Sequence, residues 1–284
     1  MNAISVPAEA VTIYNSALES SNRGDFAKAL SEYKRAIDIH PEFIEAFSNI
    51  GEIHARMGNS DLALEAYLQA LKIEKNYRVL LNLGVEYYNI KKYDEALSYF
   101  MESLKMKPDF MEANYYSGMT LYAVKQYKEA EVFLARVIKV DRQHLKANYL
   151  LSYIYYEWKE YEKVISCLDN IKDVSDDKIF LNKYYGFCYY YMGDYKKAVS
   201  FLQDALKAQP QYKKFKGYLK GLTYENKVKE IGDVDAAIKE MESKMMGDEP
   251  VYSDVSRLSM LYIFQGESQK AEKLLVNYKS QVAS

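Results

Sequence analysis

Small and apolar positions recur along this chain with one period. Small residues stand at Ala17, Gly51, Gly84, Gly118, Ser152 and Gly186, separated by steps of 34, 33, 34, 34 and 34. A second series, Ala29, Ala63, Ala96, Ala130, Val164 and Ala198, follows the same steps. Two independent series with a common period predict a tandem repeat. Each period reads as helix, turn, helix. In residues 79–108, Leu80, Leu83, Gly84 and Tyr87 share one face of a first helix. Tyr93, Ala96, Leu97, Phe100 and Leu104 share a face of a second, and Pro108 closes the unit. Gly24, Gly58 and Gly193 fall at the turn between the helices, where glycine adopts a left-handed backbone at least cost.

The spacing and the small residues resemble the tetratricopeptide repeat. So do the aromatic residues that open the second helices (Phe26, Tyr93, Tyr127, Tyr161, Tyr195) and the closing prolines (Pro41, Pro108, Pro210). The resemblance implies an all-α fold, a right-handed α-solenoid superhelix of about eight helix-turn-helix repeats. Residues 1–9 read as an N-terminal extension and residues 10–212 as six well-matched units. Ala198 to Ala237 is 39 residues, after which Ala237 to Ala271 returns to 34. Residues 213–250 therefore read as a degenerate seventh unit with a longer first helix, and 251–284 as an eighth. The family's early tryptophan is absent, Trp158 lying instead at a helix end, and Val164 replaces a packing alanine. Little sequence remains after the last repeat for a polar capping helix, which points to an apolar end and a homo-oligomer as expectations.

In such a solenoid the first helices line the concave wall. Counting each unit from seven residues before its small residue, positions 2, 5, 9 and 12, flanked by 6 and 13, point into the groove. Asn15, Asn49 and Asn82 recur at position 6, with Arg78 nearby at position 2. A carboxamide both donates and accepts, so stacked asparagines can grip an extended peptide backbone whatever its sequence; the competing reading is that some bridge neighbouring helices. Units four to six differ. Eleven of their eighteen groove positions are aromatic: Tyr115, Tyr116, Tyr122, Tyr149, Tyr153, Tyr156, Phe180, Tyr184, Phe187, Tyr190 and Tyr191. Tyrosine combines large contact area, a polar tip and little rotamer entropy, which suits a binding wall for apolar or proline-containing side chains. The bland alternatives are a tyrosine-rich composition and rings that pack on one another. The family's two-carboxylate clamp for chaperone tails fits at only two of five positions, since Tyr14, Leu18, Asn49, Arg78 and Asn82 stand there.

Composition narrows the function further. The net charge of -2 and pI near 6.1 give no bulk attraction to nucleic acid or to an anionic membrane. No window is long and apolar enough to insert in a bilayer, and the N-terminus lacks the pattern of a secretory signal, so a cytoplasmic location is the default expectation. Cys167 and Cys188 form no Cys-x-x-Cys pair. His40, His54 and His144 occupy different positions in different units and do not converge as metal ligands. No phosphate loop or nucleophile motif is present, and no cofactor or catalytic residue is expected. A lysine run, Lys213, Lys214, Lys216, Lys220, Lys227 and Lys229, reads as a solvated face or as a dock for an acidic partner. The sequence thus predicts a non-catalytic scaffold binding an extended peptide or protein segment. The alternatives are a self-associating structural subunit and a regulatory subunit of an enzyme encoded elsewhere.

Overall fold

A computed structural model describes residues 6–208, 233–247, 252–265 and 267–282 of the chain. Every described secondary-structure element is a helix, and the chain divides into two compact units, Met1–Trp158 and Lys159–Ser284. The first contains α1 (Ala8–Asn22), α2 (Phe26–Ile39), α3 (Ile44–Arg56), α4 (Ser60–Ile73), α5 (Tyr77–Asn89), α6 (Tyr93–Met106), α7 (Met111–Ala123), α8 (Tyr127–Val140) and α9 (Leu145–Glu157). The second contains α10 (Tyr161–Ile171), α11 (Lys178–Tyr191), α12 (Tyr195–Ala208), α13 (Val234–Gly247), α14 (Tyr252–Phe264) and α15 (Ser268–Val282). Within each unit the helices are those of a helix-turn-helix repeat array. Pro210, the lysine run and most of residues 213–250, expected to form a lengthened seventh repeat, lie outside the described residues. No described helix is long and apolar enough to cross a membrane.

In the first unit each helix packs on its sequence neighbours, and first helices also touch their counterparts one repeat on: α3 meets α5, α5 meets α7, and α7 meets α9. That contact makes the first helices the inner face of this unit. The 34-residue period arises from one packing device. A Cβ placed on Gly51 would lie 2.5 Å from the Tyr67 ring, on Gly84 2.4 Å from Phe100, and on Gly118 2.7 Å from Leu134. Each glycine leaves room for a large residue sixteen positions later, and these large residues are almost fully buried. The second unit uses the same device, Gly186 against Leu202 at 2.6 Å. Close approach of the paired helices therefore requires the small residue that carries the period.

The turn between paired helices is left-handed in every case described. Gly24, Gly58 and Gly193 hold φ of 83, 77 and 81°, while Lys91, Lys125 and Lys159 hold 62, 64 and 60° without glycine's freedom. Between repeats a different anchor operates. Asn114 donates through Nδ2 to the carbonyls of Pro108 (3.1 Å) and Phe110 (2.9 Å). Asn148, one repeat on, donates to those of Arg142 and His144, both at 3.0 Å. These two buried carboxamides close loops that have no secondary structure of their own, and pair their buried donors with loop carbonyls.

Candidate functional site

The inner face of the first unit opens into a cavity of about 400 Å³, lined by Tyr14, Ile44, Glu45, Ser48, Asn49, Asn76, Tyr77, Arg78, Val79 and Asn82. Most of its wall comes from the N-terminal halves of α3 and α5, so the helices' leading backbone N–H groups are close by. Asn76 caps α5 by accepting from the Arg78 backbone N–H at 2.8 Å. Asn49 and Asn82, 33 residues apart, line the same cavity, whereas Asn15 is exposed on α1 and is not part of its lining. The expected three-rung asparagine ladder therefore contributes two residues to the cavity. Asn49 Nδ2 donates to the Tyr14 hydroxyl at 2.9 Å, so one of its donors serves the fold and bridges α1 to α3. Asn82 makes no side-chain hydrogen bond among the described residues, and its amide is available for a ligand.

The cavity carries opposite charges on its two helices, Arg78 on α5 and Glu45 on α3. Arg78 is exposed and donates through Nε to the Tyr77 hydroxyl at 3.2 Å. That hydrogen bond, together with the positive charges of Arg78 and Lys107, holds the Tyr77 phenol below its ordinary value of 10.0. The Lys107 ammonium lies 5.1 Å from the Tyr77 ring and 5.4 Å from that of Phe110, so two cations flank one phenol. On the opposite side Tyr14 stacks on Phe43 at 4.8 Å. Burial raises the Tyr14 phenol, the Asn49 hydrogen bond opposes this, and the Glu45 carboxylate adds to the rise.

The tyrosine-rich positions fall into two sets. Tyr115, Tyr116, Tyr122, Tyr149, Tyr153 and Tyr156 belong to the first unit and are half-buried. Their rings are not simply presented to a groove. Tyr116 stacks on Phe100 at 5.8 Å, and Tyr115 lies 5.3 Å from Tyr116 and 5.0 Å from His144. The Tyr115 hydroxyl donates to Met119 Sδ at 3.4 Å. Burial raises the Tyr115 phenol to about 12, with Tyr116 and Tyr88 adding to the effect. Packing on neighbouring residues therefore engages Tyr115 and Tyr116, which sequence spacing assigned to ligand contact.

The second unit corrects the expectation more strongly. Phe180, Tyr184 and Phe187 are only 8, 8 and 7% exposed, too little to offer a ligand a ring face. Phe180 and Tyr184 lie 4.6 Å apart. Tyr190 is half-buried, while Tyr191, 47% exposed, stacks on Tyr161 at 5.1 Å. The signal was present in the sequence. KIFLNKYYGFCYYY has only Lys178, Asn182 and Lys183 as strongly polar residues, too few for a solvated helix face. Cys188 on the same helix is fully buried, and burial pushes its thiol up to about 12. Among the described residues no group of His, Cys, Asp and Glu is placed to hold a metal ion.

Other proteins share this architecture. Tetratricopeptide-repeat models match residues 21–58, 42–109 and 91–154, and a model of anaphase-promoting complex, cyclosome, subunit 3 matches 123–205. The Hsp70-Hsp90 organising protein of Plasmodium falciparum is 37% identical over 87 residues, which is 28% of this chain and 15% of that protein. The chain thus spans a small part of that relative's length. Among solved structures, Pseudomonas aeruginosa pilF superposes with a TM-score of 0.63 at 18% identity, covering 75% of this chain and 97% of that one. YrrB, described as a TPR protein with an unusual peptide-binding site, superposes with a TM-score of 0.51 at 22% identity, covering 61% and 89%. With the period, the glycine-based helix pairing and these matches in agreement, the chain belongs to the tetratricopeptide-repeat family.

Proposed function

We propose that this scaffold for protein–protein interaction holds an extended segment of a partner across the inner face of its first unit. The observation that carries the reading is the cavity of about 400 Å³ in which Asn82 and Arg78 stand beside the ends of two helices. Asn82 offers one donor and one acceptor to a peptide group, the pairing that an extended backbone needs from a side chain. Arg78 supplies a fixed fork of donors that favours an acidic side chain or a carbonyl pair. Tyr14 and Tyr77 give the cavity flat walls with polar edges. The solved relative YrrB, named for its peptide-binding site, supports a peptide as the ligand class for this fold. Asn15, the half-buried Tyr149, Tyr153 and Tyr156, and exposed Tyr191 are reserved for secondary contacts, with Tyr184 and Phe187 acting as core residues.

The test is selection of a displayed random-peptide library on the full chain, followed by affinity measurement on synthetic peptides. Selected peptides are expected to lose about tenfold or more in affinity for the Asn82→Ala/Arg78→Ala variant, since both groups bond the ligand directly. Both substitutions are at non-core positions, so circular dichroism should show an unchanged fold. Selected peptides that bind this variant as well as the native chain would remove the cavity from the function.

A further inference from the structure

We propose that two tyrosine notches on the first unit seat prolines three residues apart in an acidic, proline-containing segment of a partner protein. The inference rests on the extended-segment reading above and goes beyond it, adding a second contact at the C-terminal ends of the first helices and naming the partner's chemistry. Tyr88, at the end of α5, and Tyr93, which opens α6, have ring centroids 5.5 Å apart and planes inclined by 55°. One repeat on, Tyr122 and Tyr127 reproduce the pair at 5.4 Å and 47°. All four rings are half-exposed. The half-exposed rings of each pair offer flat, electron-rich surface that suits the compact C–H surface of a prolyl ring, with the phenol tips available to its carbonyls.

Spacing favours a polyproline II ligand. Helices α5 and α7 touch, and touching helices usually have axes about 8–10 Å apart, which is the scale of one repeat step between the two notches. Polyproline II advances about 3.1 Å per residue and repeats its face every three residues, about 9.3 Å. A β-strand presents same-side residues only about 6.6–6.8 Å apart, which does not match one repeat. Polyproline II also leaves its carbonyls unpaired, ready to accept from phenol and ammonium groups.

Charge selects the acidic character. The turn within each notch carries a lysine in left-handed backbone, Lys91 at φ 62° and Lys125 at φ 64°. Both are exposed and neither forms an ion pair among the described residues. The equivalent turns of this unit that lack a tyrosine pair, between Ser21 and Phe26 and between Ala55 and Ser60, carry Gly24 and Gly58 instead. In both notches of this unit a cation stands in left-handed backbone where glycine would sit at less cost. Lys92 adds a second exposed cation to the first notch, whereas the Glu157 carboxylate lies beside Tyr122 at the second. The acidic residue is therefore assigned to the first notch.

The test is calorimetric titration of the full chain with a blocked (Glu-Pro-Pro)4 peptide. Controls are a blocked (Glu-Ser-Gly)4 peptide of equal charge without proline and a (Lys-Pro-Pro)4 peptide of opposite charge. The acidic proline peptide is expected to bind saturably, and both controls about tenfold more weakly or not at all. Lys91→Gly/Lys125→Gly should weaken it about fivefold without harming the fold, because glycine suits those turns. Tyr88→Ala/Tyr122→Ala should weaken it about tenfold or more. Equal binding of the proline-free peptide, or indifference to both double variants, would overturn the proposal. Absence of binding by (Glu-Pro-Pro)4 would also overturn it. The broader reading would stand in that case if library-selected peptides still bind through Asn82 and Arg78, and would fall with it if they do not.

Discussion

Lys91 and Lys125 hold backbone angles that Gly24 and Gly58 hold elsewhere in the same unit. For a residue with a Cβ the left-handed region costs about 1–2 kcal/mol, while glycine gives back about 0.5–1 kcal/mol through its freer unfolded chain. Lys91→Gly and Lys125→Gly are each expected to raise stability by about 0.5–1 kcal/mol, seen as a higher urea midpoint at unchanged slope. A lower midpoint would mean that the lysine stems make contacts worth more than the strain. The sequence placed Gly24, Gly58 and Gly193 at the turn between paired helices, where the structure has them in left-handed backbone. It did not reveal that lysine adopts the same backbone, because φ is set by the closure of the two helices and not by the turn residue's own preference. The asparagine series shows a similar limit. Position 6 was legible in the sequence, but the direction of Asn49 toward Tyr14 depends on a hydroxyl 35 residues away.

Between helices the repeat depends on a small residue facing a large one. Gly84 faces Phe100, whose ring carbon would sit 2.4 Å from an added Cβ. That distance forces a shift of either the ring or the helix, and neither has free space at 0% exposure of Phe100. Gly84→Ala is expected to destabilise the fold by about 1–3 kcal/mol, the usual range for overpacking, despite alanine's better helix propensity. Gly84→Ala/Phe100→Leu should recover part of the loss relative to the sum of the single changes, read from a double-mutant cycle in urea. Strict additivity would show that the two residues do not share this contact. The period was legible because this pairing tolerates only small residues at one site. The fate of the aromatic positions was less legible, since a ring at a groove position can turn toward solvent or wedge against the neighbouring first helix. Tyr116 on Phe100 and the burial of Tyr184 show the second outcome.

At the scale of the molecule the fold was readable and the site only partly so, for one physical reason. A repeat array reports its helix pairing six times over, whereas a cavity is made once, from Tyr14, Asn49, Arg78 and Asn82 on three successive first helices. The same distribution governs how the chain responds to acid, because its shifted acid-side groups in the first unit act in one direction. Burial lowers the proton affinity of His54 from its ordinary value near 6.5, the Lys34 charge lowers it further, and Nδ1 is buried without a partner. The unfolded chain therefore binds this proton first, and stability falls as pH drops through 6.5 toward the lower folded value. Burial alone would raise the Glu32 carboxyl, but donation from Ser16 at 2.8 Å and Ser20 at 2.9 Å, with Lys28 and Arg35 nearby, lowers it below its ordinary 4.5. Its contribution is present above 4.5 and is lost as pH falls through the folded value. Urea midpoints measured between about pH 3 and pH 8 should therefore decline in two steps, the upper removed by His54→Gln and the lower reduced by Glu32→Gln. A flat profile from pH 8 to pH 5 in the native chain would show that the folded state binds the His54 proton as readily as the unfolded chain, and a midpoint rising toward pH 5 would reverse the sign assigned to it.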